Sequence, residues 1–323
     1  MNINLPSPLT VVCHDAGATN LIIPWLKQWE GELRPVMAGP ASIIWKNANP
    51  EYPAKQEIGS SINGAKVLLT GTGWASTIEH DARVIANRLG VYSIAVIDHW
   101  VNYQVRFIKK NQHQLPNEIW VSDSEAEKIV RAIFPNLPVL CYENNYMSDL
   151  LLRIESPPNK RQILYVLEPI IDSWGENKKM CEFQALDYAI EKLSLLHHKK
   201  NAQLILRPHP SESRLKYQEY IDRFSFISID KSKDLAEAIS NADFVIGVET
   251  SALVVALNAG RPTLSTLPPW AHTIRLPHTG ILQIRDMTQD KINLLFYDEL
   301  STESDLNCSM KINGLIQDLN HVN

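Results

Sequence analysis

The sequence predicts an α/β protein built from two doubly wound, Rossmann-like domains facing each other across a cleft. Three observations lead there. Short apolar runs alternate with longer amphipathic ones along most of the 323 residues, the pattern of parallel βαβ units. The alternation breaks once, at the polar, proline-containing "RIESPPNKRQ" (153–162), and then resumes. The length exceeds what one ordinary domain needs and suits two. The domains are placed at 1–155 and 156–323, with a closing helix over 309–320 for which packing back on the N-terminal domain stays open.

The elements follow in order. "LTVVCH" (9–14) is the first buried strand, and "ATNLIIPWLKQWE" (18–30) the helix after it. "AKVLLTGTG" (65–73) is a strand running into a glycine-rich loop. In the helix "STIEHDARVIANRLG" (76–90), Ser76 and Glu79 have capping-box spacing and Gly90 suits the C-terminal cap. "YSIAVID" (92–98), "EIWVSD" (118–123) and "PVLCYE" (138–143) are strands. The helix "SEAEKIVRAIF" (124–134) would take Ser124 as its N-cap. In the second domain "ILYVLE" (163–168), "AQLILRPHP" (202–210) and "SFISID" (225–230) are strands, and in "DFVIGVETS" (243–251) a strand ends at Gly247. Between and after them, "EFQALDYAIEKLSLLHHK" (182–199), "KDLAEAISNA" (233–242) and "ALVVALNAG" (252–260) are helical.

Bulk properties narrow the function. A formal net charge of −5 leaves no polybasic footprint, so nucleic acid is not an expected partner. Cys13, Cys141, Cys181 and Cys308 lie far apart in sequence, with neither zinc-ligand spacing nor a disulfide framework. With no signal-like N-terminus, the expected location is the cytoplasm. No run approaches the ~18 apolar residues of a membrane span, so any membrane contact would be peripheral.

Sheets of this kind hold ligands beyond the carboxyl ends of their strands. In "LILRPHPSE" (204–212) a strand ends in Arg207 and His209, a guanidinium and an imidazole suited to phosphate or carboxylate, with a pairing of Arg207 to Glu212 as the plain alternative. In "DFVIGVETSALVVALNAGRPTLS" (243–265), Thr250 and Ser251 open a helix whose N-terminus can receive a phosphate, or simply cap it. Glu249, of the wrong charge for phosphate, suits ribose hydroxyls. "TGTGW" (70–74) offers Gly71 and Gly73 for close ligand approach, without a GxGxxG or GKS/T pattern, so neither a dinucleotide nor a Walker-type site is expected. "AVIDHWVNYQVRF" (95–107) gathers Asp98, His99, Trp100, Tyr103 and Arg106, where an aromatic face would stack on a sugar. Glu168 follows the first strand of the second domain.

These residues carry a resemblance. "NADFVIGVETSALVVALNAGRPTLS" is similar to the nucleotide-sugar segment of GT-B glycosyltransferases. "RPHP" resembles the His-Pro motif of bacterial sialyltransferases, of Kdo and related capsule transferases, and of glycerophosphotransferases, with "ETS" in place of their Ser/Thr-Ser pair. "IWVSDSEAEKIVRAIFPNLPVLCYENNYMSDL" (119–150) resembles the last unit of the GT-B N-terminal domain. The resemblance implies a metal-independent glycosyltransferase of bacterial surface-polysaccharide assembly, with no cofactor beyond its substrate. The sugar would pass from a nucleotide-sugar donor, CMP-linked first and UDP-linked next, to a glycan or lipid-linked acceptor. It puts Arg207, His209, Thr250 and Ser251 at the nucleotide and Glu249 at the ribose. In "CHDAGATN" (13–20) it makes Asp15 or His14 the base, with Asp98 and His99 in reserve. Gly17, Gly73, Trp100 and Glu168 fall to the acceptor or sugar. The chain departs from the relatives' acidic-acidic-Gly motif, having His14-Asp15-Ala16-Gly17 instead. The alternatives on the same chassis are a nucleotide-sugar hydrolase, a 2-epimerase, or a non-catalytic nucleotide-binding relative.

Overall fold

The computed structural model describes residues 3–54, 57–156, 161–170, 173–174 and 179–301, without the side chains of 195–200 and 297–301. The helix expected over 309–320 lies outside the described residues. The chain forms two compact units, Met1–Asp149 and Leu150–Asn323.

In the first unit the strands are β1 (Leu9–Cys13), β2 (Leu33–Met37), β3 (Val67–Thr70) and β4 (Tyr92–Val96), then a small antiparallel hairpin of β5 (Ile108–Lys109) and β6 (Gln112–His113), then β7 (Glu118–Val121) and β8 (Val139–Cys141). The helices are α1 (Ala16–Leu26), α2 (Gly39–Ala48), α3 (Ile58–Ile62), α4 (Ile78–Leu89) and α5 (Ser124–Ile133). The sheet is six-stranded and parallel, in the order β2-β1-β3-β4-β7-β8. Both faces are covered, as a parallel sheet requires. Val11, Leu69, Ile94 and Trp120 pack with Leu21, Ile22 and Trp25 of α1 and Trp45 of α2. On the opposite face Val12 and Leu68 meet Ile62 of α3 and Ala82 and Ala86 of α4. Strand β2, absent from the expected elements, contains Pro35. That proline pairs in register with Val11 on an edge strand, where a missing N–H is tolerated.

Two caps differ from expectation. Asp123, not Ser124, caps α5, its Oδ1 accepting the Ala126 amide at 2.7 Å. Thr77 sits at the N-cap of α4, and Glu79 makes no capping box because its carboxylate is taken by tertiary partners. Gly90 does close α4, with φ 68°.

Helix α6 (Asn145–Arg153) runs across the boundary between the units. The second unit has strands β9 (Gln162–Val166), β10 (Gln203–Arg207), β11 (Ile227–Ile229), β12 (Phe244–Gly247), β13 (Thr263–Ser265) and β14 (Leu282–Gln283). Its helices are α7 (Cys181–Lys200), α8 (Gln218–Arg223), α9 (Leu235–Ser240), α10 (Ser251–Asn258) and α11 (Gln289–Ser301). The sheet is again six-stranded and parallel, ordered β11-β10-β9-β12-β13-β14. Tyr165, Leu206 and Phe244 pack with Leu186 and Leu193 of α7 and Phe296 of α11. Both sheets are Rossmann-like, and in each the strand order reverses beside the first strand, between β1 and β3 and between β9 and β12. Among the described residues no helix is long and apolar enough to cross a membrane.

Candidate functional site

The first unit assembles its polar residues at that reversal. His14 and Asp15 leave β1, Gly71–Trp74 leave β3, and Asp98 leaves β4. Asp15 stands at the N-cap of α1 but its side chain does not cap it. Instead Asp15 Oδ1 accepts a hydrogen bond from His14 Nδ1 at 2.6 Å. Two glycines make room for the carboxylates. A Cβ on Gly17 would stand 1.7 Å from Asp98 Oδ2, and one on Gly73 would stand 2.2 Å from Asp15 Oδ2. Gly39, at φ +50°, accommodates the far edge of the imidazole, for a Cβ there would lie 2.5 Å from His14 Nε2. Of the expected residues, the structure therefore brings together His14, Asp15, Gly17, Gly73 and Asp98.

Cations from the segment after β4 complete the site. Arg106 Nη1 donates to Asp98 Oδ1 and to Thr72 Oγ1, each at 3.2 Å. Lys109 Nζ donates to the Trp74 carbonyl at 2.8 Å. Behind them Glu79, only 1% exposed, accepts the amides of His14 at 3.0 Å and of Gly73. Burial raises the Glu79 carboxyl from the ordinary 4.5 to about 7; the His14 and Gly73 amides and Arg83 pull it down, and Asp15 adds to the rise. Sequence reasoning missed Glu79, because its S-x-x-E spacing has a sufficient local explanation in a cap.

Trp100 does not serve as the expected sugar platform. It is 5% exposed, and its indole N–H donates to Asp123 Oδ2 at 2.8 Å, so its ring belongs to the core. His99 lies against it, ring centroids 5.6 Å apart. The large aromatic that does reach the surface beside the glycine loop is Trp74, 51% exposed.

In the second unit Thr250 caps α10, its hydroxyl accepting the Ala252 amide at 3.3 Å, and Ser251 is exposed on the first turn. Three expectations need correction. Glu249 is not presented to a ribose: it is 4% exposed, and its carboxylate accepts from the Arg275 amide at 2.5 Å, from Arg275 Nη2 at 2.7 Å and from His272 Nε2 at 2.8 Å. Burial raises the Glu249 carboxyl, but the hydrogen bonds from Arg275 and His272 outweigh it and hold the group below its ordinary range. Glu168 is turned to the backbone, its Oε1 accepting the Glu249 amide at 2.6 Å. Arg207 pairs with Asp230, while Glu212 accepts from Lys216 and from Tyr217 at 3.0 Å. His209 Nδ1 accepts the Ser211 amide at 3.2 Å, so the neutral ring carries its proton on Nε2. Arg261, in the segment resembling a donor-binding return, is 4% exposed and donates to the carbonyls of Ala242 at 2.9 Å and Ile239 at 3.3 Å. Its role is to tie α9 to β13. Among the described residues no group of three or more His, Cys, Asp or Glu side chains is placed to hold a metal ion.

No family model and no curated protein matches the sequence. Solved structures do. The UDP-GlcNAc 2-epimerase of Methanocaldococcus jannaschii, in complex with UDP-GlcNAc and UDP, aligns over 97% of this chain and 99% of its own at a TM-score of 0.57 and 11% identity. The fold is of the GT-B type. A candidate UDP-N-acetylglucosamine 2-epimerase from Listeria monocytogenes aligns over 97% of this chain and 91% of its own, at TM-score 0.63 and 13% identity. The glycosyltransferase SnogD of Streptomyces nogalater covers 96% of this chain and 94% of its own, at 0.50 and 12%. Transferases and epimerases share this GT-B frame, so the reaction has to be argued from the residues.

Proposed function

We propose that the protein is a nucleotide-sugar enzyme of the GT-B type that transfers a sugar to a glycan or lipid-linked acceptor. The observation that carries this reading is the convergence of Asp15, His14 and Asp98 on Gly17 and Gly73 at the strand reversal of the first unit. Asp15 is the base. Its Oδ1 is held by His14, and its Oδ2 faces Gly73. As the acceptor oxygen bonds to the anomeric carbon, its proton passes to Asp15 Oδ2 and the sugar–phosphate bond breaks. The nucleotide leaves with the bonding electrons on its phosphate; within the second unit the amides opening α10, the Ser251 hydroxyl, His209 and Arg207, which pairs with Asp230, are the groups suited to such an anion. The His-Pro and Thr-Ser pairing favours a CMP-linked donor. A UDP-linked donor has the support of the UDP-GlcNAc and UDP bound by the M. jannaschii enzyme.

One observation favours a second reading, 2-epimerisation or hydrolysis. The site offers two carboxylates, Asp15 and Asp98, where a transferase needs one base. Incubation with CMP- and UDP-sugars in D₂O separates the reactions. A transferase releases nucleotide only when acceptor is added, a hydrolase releases it without, and an epimerase exchanges the sugar C2 proton while releasing none. Asp15→Asn should preserve nucleotide binding and lower turnover by about 10²-fold or more. Retained turnover would move the base to Asp98 or His99.

A further inference from the structure

We propose that Glu79 is the positioning residue of the first-unit site, its buried carboxylate bridging the two loops that carry Asp15 and Gly73. Helix α4 brings it in from behind the sheet's strand ends. One oxygen, Oε1, accepts the His14 amide at 3.0 Å, and the other, Oε2, accepts the Gly73 amide. His14 follows β1 and Gly73 follows β3, so a single side chain fixes the spacing of neighbouring loops. The packing leaves no slack. A Cβ on Gly71 would lie 2.3 Å from Glu79 Oε1, and one on Gly73 would lie 3.1 Å from Oε2. One helical turn on, Arg83 is buried and donates to Thr70 Oγ1 and the Gly71 carbonyl, each at 3.0 Å. It holds the other side of the same loop and sets a positive charge near Glu79. With 1% of its surface exposed, Glu79 does not touch substrate; it acts through Asp15.

The bridge needs an ionised carboxylate, because only then do both oxygens accept without a proton in the way. The groups acting on that ionisation come from every neighbouring element. Asp15 and Cys13, flanking His14 at the end of β1, Arg83 on α4, and Lys109 on the hairpin all interact electrostatically with Glu79. Burial raises the carboxyl to about 7, so protonation below that pH would weaken the bridge.

The inference deepens the proposed function and shares its site, but one of its tests is independent of activity. In the ¹⁵N-glycine-labelled protein, the Gly73 amide resonance should titrate with a midpoint near 7, shifting downfield as Glu79 ionises, and its protection from exchange, measured against the intrinsic rate at each pH, should rise at least about tenfold across that range. Glu79→Gln puts an amide N–H against one of the two backbone N–H groups. It should abolish the Gly73 titration, lower kcat at least about tenfold and remove from the kcat profile the ionisation near 7, leaving only the acid limb set by the base, with nucleotide binding unchanged. A wild-type Gly73 amide with neither a downfield shift nor protection from exchange at any pH would overturn the proposal even if the variant does not fold. So would a folded Glu79→Gln variant with the wild-type kcat profile. If no nucleotide sugar is turned over, the functional reading fails while the Gly73 titration still decides this one.

Discussion

Two buried glutamates take opposite protonation behaviour from their surroundings. Glu79 sits in the first unit with two amide donors and a nearby Asp15, and burial dominates, raising its carboxyl to about 7. It binds its proton more tightly folded than unfolded. The stability from that proton is complete below the ordinary value of 4.5 and is lost as pH rises through about 7. Glu249 is the reverse: Arg275 and His272 hold its carboxyl down, so its contribution is present above the ordinary carboxylate range and lost in acid. Urea melts from about pH 2 to pH 8 should therefore lose slope between about 4.5 and 7 in Glu79→Gln, whereas Glu249→Gln should change the acid end below about pH 4.5. A Glu79→Gln curve parallel to wild type would show that the carboxyl titrates normally. At this scale the sequence was a partial guide. It picked out Asp15, His14 and Asp98 because they stand at strand ends. It misjudged Glu249, since nothing local to "GVETS" announces that Arg275, 26 positions on, will reach back to it.

Element by element, the first-unit site depends on α1 starting where a strand end from β4 can touch it. Gly17 lies in the first turn of α1, and Asp98 presses against it from the next loop but one. A carboxylate against a helix N-terminus is stabilised by the dipole, and here it also aligns Arg106. Gly17→Ala would drive a methyl into Asp98 Oδ2, so Asp98 and Arg106 must move. The expected outcome is a loss of about 1–3 kcal/mol of stability, the range of overpacking, together with a fall in turnover and no change in nucleotide binding. A variant with wild-type turnover would remove Asp98 from the site. The strand and helix order was legible from the alternation of apolar runs. What escaped was chemistry that depends on three dimensions. The proline in β2 reads as a breaker unless the strand is known to be an edge. Trp100 reads as a platform until its indole is seen bonded to Asp123.

Over the whole molecule, each parallel-sheet unit gathers polar groups of its own at its strand ends. The first supplies a carboxylate held by an imidazole and a buried bridge; the second supplies a helix N-terminus, a histidine and a paired arginine. The fold was readable because parallel βαβ units impose an order on the whole chain. The reaction was not, because its motifs are a few residues long and the same GT-B frame carries transferases and epimerases. The most direct test of the central claim is a thermal-shift titration of the full-length protein with CMP, CDP, UDP, GDP and NAD. Native-state binding stabilises by about 2.7 kcal/mol at a ligand concentration of 100 Kd. The expected result is a concentration-dependent rise in Tm with a cytidine or uridine nucleotide, none with NAD, and a weakened rise in His209→Ala. No rise with any nucleotide would contradict that claim.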